Sequence, residues 1–185
     1  MYKDLLRKEI LSQRIKFLDS GDYKTICKKI SENVLSFLEK HSPKSLIGGY
    51  NAIKGEVDLY ELYKNIHNLA FPRLVFIHNH SEIEYAKIAE LEEMTKSKLS
   101  FMEPTSNGQI CYPDVILVPG ISFDLQKRRI GYGKGHFDKF LFHAKKSGYN
   151  PLKIGICFDF QLRPSLPHEL HDQDMDHIIT ESTII

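Results

Sequence analysis

Apolar residues recur at helical spacing through the first part of the chain, in two runs separated by a polar break. The first run comprises Leu5, Leu6, Ile10 and Phe17, and the second comprises Ile26, Ile30, Val34, Phe37 and Leu38. This spacing predicts two helices. Asp22 is the expected cap of the second helix, and Ser42-Pro43 is expected to end it.

Further along, short apolar runs alternate with helical patterns. The runs that predict strands are Ser45–Tyr50, Leu74–His78, Asp114–Val118, Leu152–Phe158 and His177–Thr180. The patterns that predict helices are Asp58–Asn68, with Asp58 as a cap, and His136–Lys146, which Gly148 is expected to end. This alternation predicts a single-domain α/β fold with a largely parallel sheet, which binds ligands beyond the carboxyl ends of its strands.

Residues 81–103 fit two interpretations. Ile83, Tyr85 and Lys87 alternate as in an edge strand, whereas Leu91–Met94 fits a helical turn. The sequence leaves both open.

Composition narrows the class of protein. The chain has 185 residues, 25 basic and 24 acidic, so its formal charge of +1 gives no global attraction for nucleic acid or an anionic membrane. Met1–Ile10 is rich in charge and lacks the apolar core of a signal peptide, and no apolar run reaches the ~20 residues of a membrane span. Three widely spaced cysteines, Cys27, Cys111 and Cys157, fit reduced thiols. We therefore expect a cytoplasmic protein.

The segment Arg129–Asp138 carries the strongest chemical signal. Glycines at 131, 133 and 135 lie between a predicted strand and a helix start, with Lys127, Arg128, Arg129 and Lys134 around them. Glycines let main-chain N–H groups approach a ligand closely, and a helix N-terminus adds partial positive charge. The pattern fits a polyphosphate cradle, although a plain glycine turn among solvated charges has the same composition. It matches neither the P-loop nor the dinucleotide-binding GxGxxG motif.

Two acidic features follow. Asp138 lies in the first turn of the predicted helix, where it either complements the helix dipole or, beside phosphate, holds a bridging Mg²⁺. Asp172, Asp174 and Asp176 have the spacing of an EF-hand, but His177 and Thr183 stand where its glycine and bidentate glutamate belong. That segment is either a solvated loop or supplies one carboxylate to a shared metal site.

One face of the first helix is predicted to carry Lys3, Arg7 and Arg14. These side chains form either an anion clamp or a solvated basic face. Glu56, in a Gly-Glu turn, either pairs with the amide-like edge of a pterin ring or caps the next helix.

Seven segments in a fixed order point to a family. They are KDLLR at 3–7, KGEVD at 54–58, FPRL at 71–74, MEP at 102–104, PDVILVPGISFD at 113–124, RIGYGKGHFDKFL at 129–141 and HDQDMDHIITE at 171–181. The chain resembles the 5-formyltetrahydrofolate cyclo-ligases, also called 5,10-methenyltetrahydrofolate synthetases. The resemblance implies a three-layer, Rossmann-like fold of the NagB/RpiA/CoA-transferase-like type, with a mostly parallel, mixed-edge sheet in one domain over residues 1–185.

The resemblance also implies a reaction. The family uses MgATP to convert 5-formyltetrahydrofolate into 5,10-methenyltetrahydrofolate through an N5-iminium phosphate, with release of ADP and phosphate. An amide oxygen leaves poorly until it is phosphorylated, so such an enzyme mainly aligns two substrates and neutralises phosphate charge.

Residues that match the family motifs carry its expected roles. Those expected to bind ATP are Lys3, Arg7, Arg129, Ile130, Gly131, Tyr132, Gly133, Lys134, Gly135, His136 and Phe137. Those expected to bind the folate are Arg7, Asn51, Glu56, Tyr132, Gly133, Lys134, Gly135 and His136. Asp138 and Asp172 are the expected Mg²⁺ ligands, and Lys134 and Arg129 are expected to stabilise the transferring charge. His136-Phe137 stands where the family commonly has two aromatics, and Asn51 where it usually has an aliphatic residue.

Two alternatives accompany this hypothesis: an ATP-dependent ligase or kinase acting on another small molecule, and a non-catalytic protein that binds reduced folate. In each case the expected partners are small molecules rather than nucleic acid or membrane, and the expected state is a monomer.

Overall fold

The structure, a computed structural model, describes residues 2–77, 80–96, 102–105, 108–169 and 172–185. Its helices are α1 (Tyr2–Leu18), α2 (Tyr23–His41), α3 (Tyr60–Tyr63) and α4 (His136–Lys146), with 3₁₀ turns at Leu91–Glu93 and Asp159–Gln161. The helices α1, α2 and α4 confirm the predicted ones. Asp22 occupies the N-cap position of α2, but its side chain makes no capping hydrogen bond.

A mixed sheet forms the centre of the fold. The strands are β1 (Ile47–Gly48), β2 (Leu69–Ile77), β3 (His80–Ile88), β4 (Met94–Lys96), β5 (Met102–Pro104), β6 (Ile110–Cys111), β7 (Val115–Pro119), β8 (Ser122–Asp124), β9 (Arg129–Ile130), β10 (Leu152–Ile156), β11 (Leu162–Arg163) and β12 (His177–Ile179). Among the described residues, seven strands pair in the order β12-β10-β7-β1-β2-β3-β6. Pairing is parallel from β12 to β2 and antiparallel at β3 and β6, which confirms the mostly parallel, mixed-edge sheet.

Side chains of the buried strand β7 alternate between the two faces of this sheet. Val115 and Leu117 pack in the cluster that contains the apolar stripe of α2, whereas Ile116 and Val118 pack in the cluster that contains Leu141 of α4. A strand covered on both faces reads as a continuous apolar run, which is why this segment was predictable from the sequence. Helices on both faces confirm the three-layer arrangement.

One face of α1 covers the region around β9. Leu6 and Ile10 pack with Ile121, Ile130 and Leu166 in a third, smaller cluster. Leu5, predicted on the apolar stripe of this helix, is instead 61% exposed. The buried stripe of α1 therefore follows a spacing of four residues. It packs against β9, where the glycine-rich loop (residues 131–135) begins.

Several predicted elements have different bounds. The strand predicted over Ser45–Tyr50 forms only as Ile47–Gly48. The helix predicted over Asp58–Asn68 forms only as α3, although Asp58 does accept a hydrogen bond from the Tyr60 N–H (3.0 Å). The strand predicted to start at Leu74 starts at Leu69. Because β1 pairs only with Leu69 and Ala70, Pro72 lies beyond the end of β1, and its missing N–H costs no hydrogen bond on that side.

The two interpretations of residues 81–103 both apply, to different segments. Residues 81–88 belong to β3, which pairs antiparallel with β2 and β6 and so is a strand as predicted but not an edge strand, and Leu91–Glu93 forms a 3₁₀ turn. Met94–Lys96 then pairs with Met102–Pro104 as the two-stranded β4-β5 sheet. Residues 78–79, at the end of the predicted strand Leu74–His78, and His171 of the acidic segment lie outside the described residues.

Within the described ranges, none of the helices has the length and apolar character needed to cross a membrane. All three cysteines are unpaired thiols, as predicted.

Candidate functional site

Two cavities meet at the loop between β9 and α4. The larger has a volume of about 720 Å³ and lies against α1 and the start of α4. The smaller has a volume of about 380 Å³ and lies beyond the carboxyl ends of β1 and β7, where Tyr50 and Pro119 line it. The residues that line both cavities are Arg129, Gly131, Lys134, Gly135 and Asp138.

The backbone of this loop requires its glycines. Gly133 has a φ of +93° and Gly135, the N-cap of α4, has a φ of +67°. Residues other than glycine rarely adopt such positive φ values. At Gly131, a Cβ atom would lie 2.8 Å from Nη1 of Arg129. The loop therefore brings its main chain, a buried guanidinium and the N-terminus of α4 to one place, as the cradle hypothesis expected.

Basic side chains from α1 and from the loop line the larger cavity. Arg7 donates from Nε to the Gly131 carbonyl (2.9 Å) and pairs with Asp4 (2.8 Å). Lys3 pairs with Glu169 (2.8 Å) and Asp172 (3.0 Å). Burial opposes the charged form of Lys3, but these two hydrogen bonds outweigh it and raise the pKa of the lysine. The cavity thus combines cationic groups with carboxylates, as a site for a metal-bound polyphosphate requires.

Arg129 links the two cavities. Its side chain is only 5% exposed, its Nη2 pairs with Asp138 (2.8 Å), and its Nη1 donates to the Pro119 carbonyl (3.2 Å). Its Nε is buried and has no hydrogen-bond partner within the described part of the chain. An unpaired buried donor is costly, so this guanidinium is poised to interact with a further acceptor.

Asp138 and Asp172, the two predicted metal ligands, line the same larger cavity. Arg129 neutralises the first carboxylate and Lys3 the second. The described residues contain no cluster of three or more histidine, cysteine or acidic side chains that would hold a metal by themselves. Since Mg²⁺ usually takes one or two carboxylates together with phosphate oxygens, the pair fits a cation that arrives with a nucleotide.

The smaller cavity has mainly apolar walls. Its apolar lining includes Pro72, Leu74, Ile83, Met102 and Phe137. Nε2 of His136 lies 2.8 Å from the Ser81 hydroxyl, and burial together with Lys134 and Lys139 lowers the pKa of this histidine. Asn51 donates from Nδ2 to the Met102 carbonyl (2.7 Å) and thereby ties β5 to the cavity wall. Such a cavity suits a mainly apolar small molecule with a few polar groups.

Glu56 is the buried acid of the smaller cavity. It is 4% exposed, and its Oε2 accepts a hydrogen bond from the Ile53 N–H (2.9 Å). Burial raises its pKa from 4.5 to about 7, and the hydrogen bond from Ile53 and the charge of Arg14 only partly oppose this. Near neutral pH, this carboxyl can therefore either accept or donate a hydrogen bond toward a ligand.

This titration predicts a pH-dependent stability. Glu56 binds its proton more tightly in the folded state, with a pKa of about 7, than in the unfolded state, near 4.5. Its contribution to stability is therefore complete below pH 4.5 and is lost as the pH rises through 7, a decrease of about 3 kcal/mol in the free energy of unfolding. Glu56→Gln should remove this slope in denaturant titrations between pH 4 and 8.

The exposed Glu32 of α2 supplies the control for this experiment. Glu32→Gln should keep the wild-type slope. A Glu56→Gln curve parallel to that of the wild type would contradict the assignment of the slope to Glu56.

The comparison with protein families is decisive. The model of the 5-formyltetrahydrofolate cyclo-ligase family matches residues 2–181. The chain belongs to the 5-formyltetrahydrofolate cyclo-ligase family. It is 29% identical to the 5-formyltetrahydrofolate cyclo-ligase of Saccharomyces cerevisiae, over 96% of this chain and 94% of that protein. It is also 29% identical to the enzyme of that name from Mycoplasma pneumoniae, over 87% of this chain and 88% of that protein.

A solved structure agrees with the assignment to the cyclo-ligase family. The NMR structure of Aquifex aeolicus 5,10-methenyltetrahydrofolate synthetase superposes with a TM-score of 0.78 at 30% identity, covering 100% of this chain and 92% of that one. The predicted α/β fold is thus the fold of this family.

The site residues predicted from the resemblance to the cyclo-ligases all line one or both cavities. Those on the larger cavity alone are Lys3, Arg7, Ile130, Gly133 and Asp172. Those on the smaller cavity alone are Asn51, Glu56, Tyr132, His136 and Phe137. Arg7, expected at both substrates, thus lies with the larger cavity, and Phe137, expected at ATP, lies with the smaller one. Their roles toward a ligand stay predictions.

Arg14 corrects one interpretation of the sequence. It is fully buried, so it belongs neither to a solvated basic face nor to the lining of the larger cavity. Its signal in the sequence is its position four residues after Ile10 and eight after Leu6, on the buried stripe of α1.

The apolar wall of the smaller cavity was also not predicted. Its signal lay in two cyclo-ligase motifs, FPRL and MEP, which supply Pro72, Leu74 and Met102.

Proposed function

We propose that this protein catalyses the ATP-dependent cyclisation of 5-formyltetrahydrofolate to 5,10-methenyltetrahydrofolate, with release of ADP and phosphate. The observation that carries the proposal is that a cationic cavity and an apolar cavity share one glycine-rich loop and Arg129. A reaction between a polyphosphate and a ring system needs this arrangement, because both substrates must meet with their reacting atoms in contact.

The larger cavity is assigned to ATP. Lys3 and Arg7 approach it from α1, and the N–H groups of the glycine-rich loop and the N-terminus of α4 approach it from the other side. Lys134 lines both cavities and is placed to contact the phosphate that is transferred.

Asp138 and Asp172 are assigned to Mg²⁺ that enters with the nucleotide. When bound, the cation would neutralise charge on the phosphate oxygens. The two carboxylates would exchange their present partners, Arg129 and Lys3, at least in part, which would make both cations available to phosphate.

The smaller cavity is assigned to the folate. The carboxyl group of Glu56 faces the pterin edge, Asn51 and His136 supply further polar contacts, and Tyr132 lines the cavity beside Glu56. The apolar wall excludes water from the formyl group, which protects an activated intermediate from hydrolysis.

The chemistry follows from this alignment. The formyl oxygen attacks the γ-phosphorus, the bond to the bridging oxygen of ADP breaks, and an N5-iminium phosphate forms. N10 then attacks the activated carbon and loses its proton, and the carbon–oxygen bond breaks as phosphate leaves. Arg129 and Lys134 would stabilise the charge that moves between oxygens, and no covalent intermediate with the protein is needed.

The proposal also covers the binding partners, the compartment and the oligomeric state of the enzyme. The small molecules 5-formyltetrahydrofolate and MgATP are its partners, and the three unpaired cysteines favour a reducing compartment such as the cytoplasm. A monomer without nucleic-acid or membrane partners stays the expectation.

A direct assay tests the proposal. Purified protein is mixed with 5-formyltetrahydrofolate and MgATP, and the methenyl chromophore and ADP are measured together. Equal amounts of both products are expected, with no product when ATP is omitted or Mg²⁺ is chelated. Folded protein that forms no product beside an active family member would overturn the proposal, and ADP without the chromophore would indicate a kinase for another substrate.

A further inference from the structure

Arg14 is a fully buried cation that donates mainly to main-chain oxygens and, within the described part of the chain, pairs with no carboxylate. Its guanidinium donates to the carbonyls of Ile53 (2.9 Å), Lys54 (2.8 Å), Gly55 (3.2 Å) and Gly120 (3.4 Å). It also donates to the hydroxyl of Tyr132 (2.7 Å). One side chain of α1 therefore holds three separate segments of the protein.

These segments line or adjoin the smaller cavity: Ile53, Lys54 and Tyr132 line it, and Gly120 follows a residue that does. The turn at 53–55 leads directly into Glu56, and Gly120 follows Pro119, whose carbonyl accepts from Arg129. Tyr132 belongs to the glycine-rich loop. The turn fits closely against α1, because a Cβ atom on Gly55, whose φ is +70°, would lie 3.2 Å from the Arg14 carbonyl oxygen.

The contact between Arg14 and Tyr132 has a fixed hydrogen-bond direction. A guanidinium can only donate, so the Tyr132 oxygen accepts from Arg14. The phenolic proton therefore points away from Arg14, and the Glu56 carboxyl lines the same cavity as Tyr132. The main-chain N–H of Ile53 donates to the same carboxyl group. Glu56 is thus oriented by a turn that Arg14 holds, and Tyr132, which Arg14 also holds, lines the same cavity.

Stability alone does not account for such a side chain. Burying a charge is costly, and apolar residues of similar volume often replace buried charges without loss of stability. The contacts of Arg14 instead converge on the segments that shape the smaller cavity.

We infer that Arg14 is a positioning residue for the folate: through the 53–55 turn it sets the orientation of Glu56, and it also holds Tyr132 of the same cavity in place. This inference rests on the proposed function. Arg14 touches no substrate itself, and its effect is exerted on the folate side rather than on the nucleotide.

Kinetics of Arg14→Lys and Arg14→Met test the inference. Lysine keeps the charge but cannot reproduce the planar fork of donors, so we expect it to raise the KM for 5-formyltetrahydrofolate by about tenfold or more. The KM for ATP should stay within about twofold of wild type, since losses of this kind are confined to the groups that lose their partner. Arg14→Met should have the larger effect of the two.

Tyr132→Phe provides the second variant, since it removes one hydroxyl and little volume. It should raise the same KM, and the double variant with Arg14→Lys should show less than the product of the two single effects, because Arg14 and Tyr132 share one hydrogen bond. If neither Arg14 variant folds, the test rests on Tyr132→Phe. An unchanged KM for 5-formyltetrahydrofolate in that variant would overturn the inference.

Asn33→Ala is the matched structural control. Asn33 donates to the carbonyls of Thr180 and Glu181, none of which lines either cavity. This variant should lose stability and keep both KM values. If the wild type turns over and the Arg14 variants keep a wild-type folate KM, the inference is wrong. If the wild type itself is inactive, the proposed function fails and the inference falls with it.

Discussion

Replacement of Asp138 by asparagine should lower kcat by at least about 100-fold, the scale expected when one group that stabilises transition-state charge is removed. Asp138 lies in the first turn of α4, lines both cavities and pairs with Arg129 at 2.8 Å. A carboxylate beside polyphosphate is repulsive unless a cation lies between them, and asparagine keeps the shape of the side chain while removing its charge. The measurement is ADP release at saturating folate across a Mg²⁺ titration.

Asp22 offers a control for the helix-dipole contribution of such an acid. It stands at the N-cap of α2 without a side-chain capping bond, and neither cavity includes it. Asp22→Asn should retain wild-type turnover, which separates loss of the metal ligand from loss of a helix-terminal charge. Thermal unfolding shows whether each variant is folded. Retention of more than about a third of wild-type kcat by Asp138→Asn would remove this carboxylate from the mechanism, because the expected loss is far larger.

Substitution of Arg129 by alanine should raise the KM for ATP by about tenfold or more, since each lost charge-assisted contact costs about 1.5–3 kcal/mol. Arg129 is buried, holds Asp138 and Pro119, and has one N–H without a partner among the described residues. Its removal also leaves the Asp138 charge uncompensated, so the variant should unfold at lower temperature. Initial rates against ATP concentration provide the measurement.

Arg129→Lys distinguishes the charge from the geometry of this group. Lysine restores a positive charge but reaches one partner at a time, so its ATP KM should fall between those of the wild type and the alanine variant. Wild-type dependence on ATP in Arg129→Ala would show that the cavity assigned to the nucleotide is wrong.

Local patterns predicted the elements that depend on short-range physics. The stripe of α2, the buried run of β7 and the step from glycines into α4 all matched the structure, because periodicity and glycine content act within a few residues. The bounds of β2 did not match the prediction. Pro72 is acceptable in a strand only where the neighbouring strand has ended, and β1 ends before it. The length of β1 is a tertiary fact that no local pattern contains.

The candidate site likewise has features that the sequence predicted and features that only the structure shows. The glycine-rich loop and its acid were evident from types and spacing, and the family motifs added Lys3, Glu56 and Asp172 from distant parts of the chain. The sequence presented Arg14 as one more charge on a basic helix face. Only the packed structure shows it fully buried against the 53–55 turn and Tyr132.

By itself, the sequence determined the fold class, the family and the residue types that the chemistry needs, since these follow from local periodicity and from motifs of fixed spacing. The tertiary structure decided which of those residues face which cavity, and that Glu56 titrates near neutrality. Burial and long-range hydrogen bonds set both properties, and they arise only when α1, the 53–55 turn and the glycine-rich loop pack together.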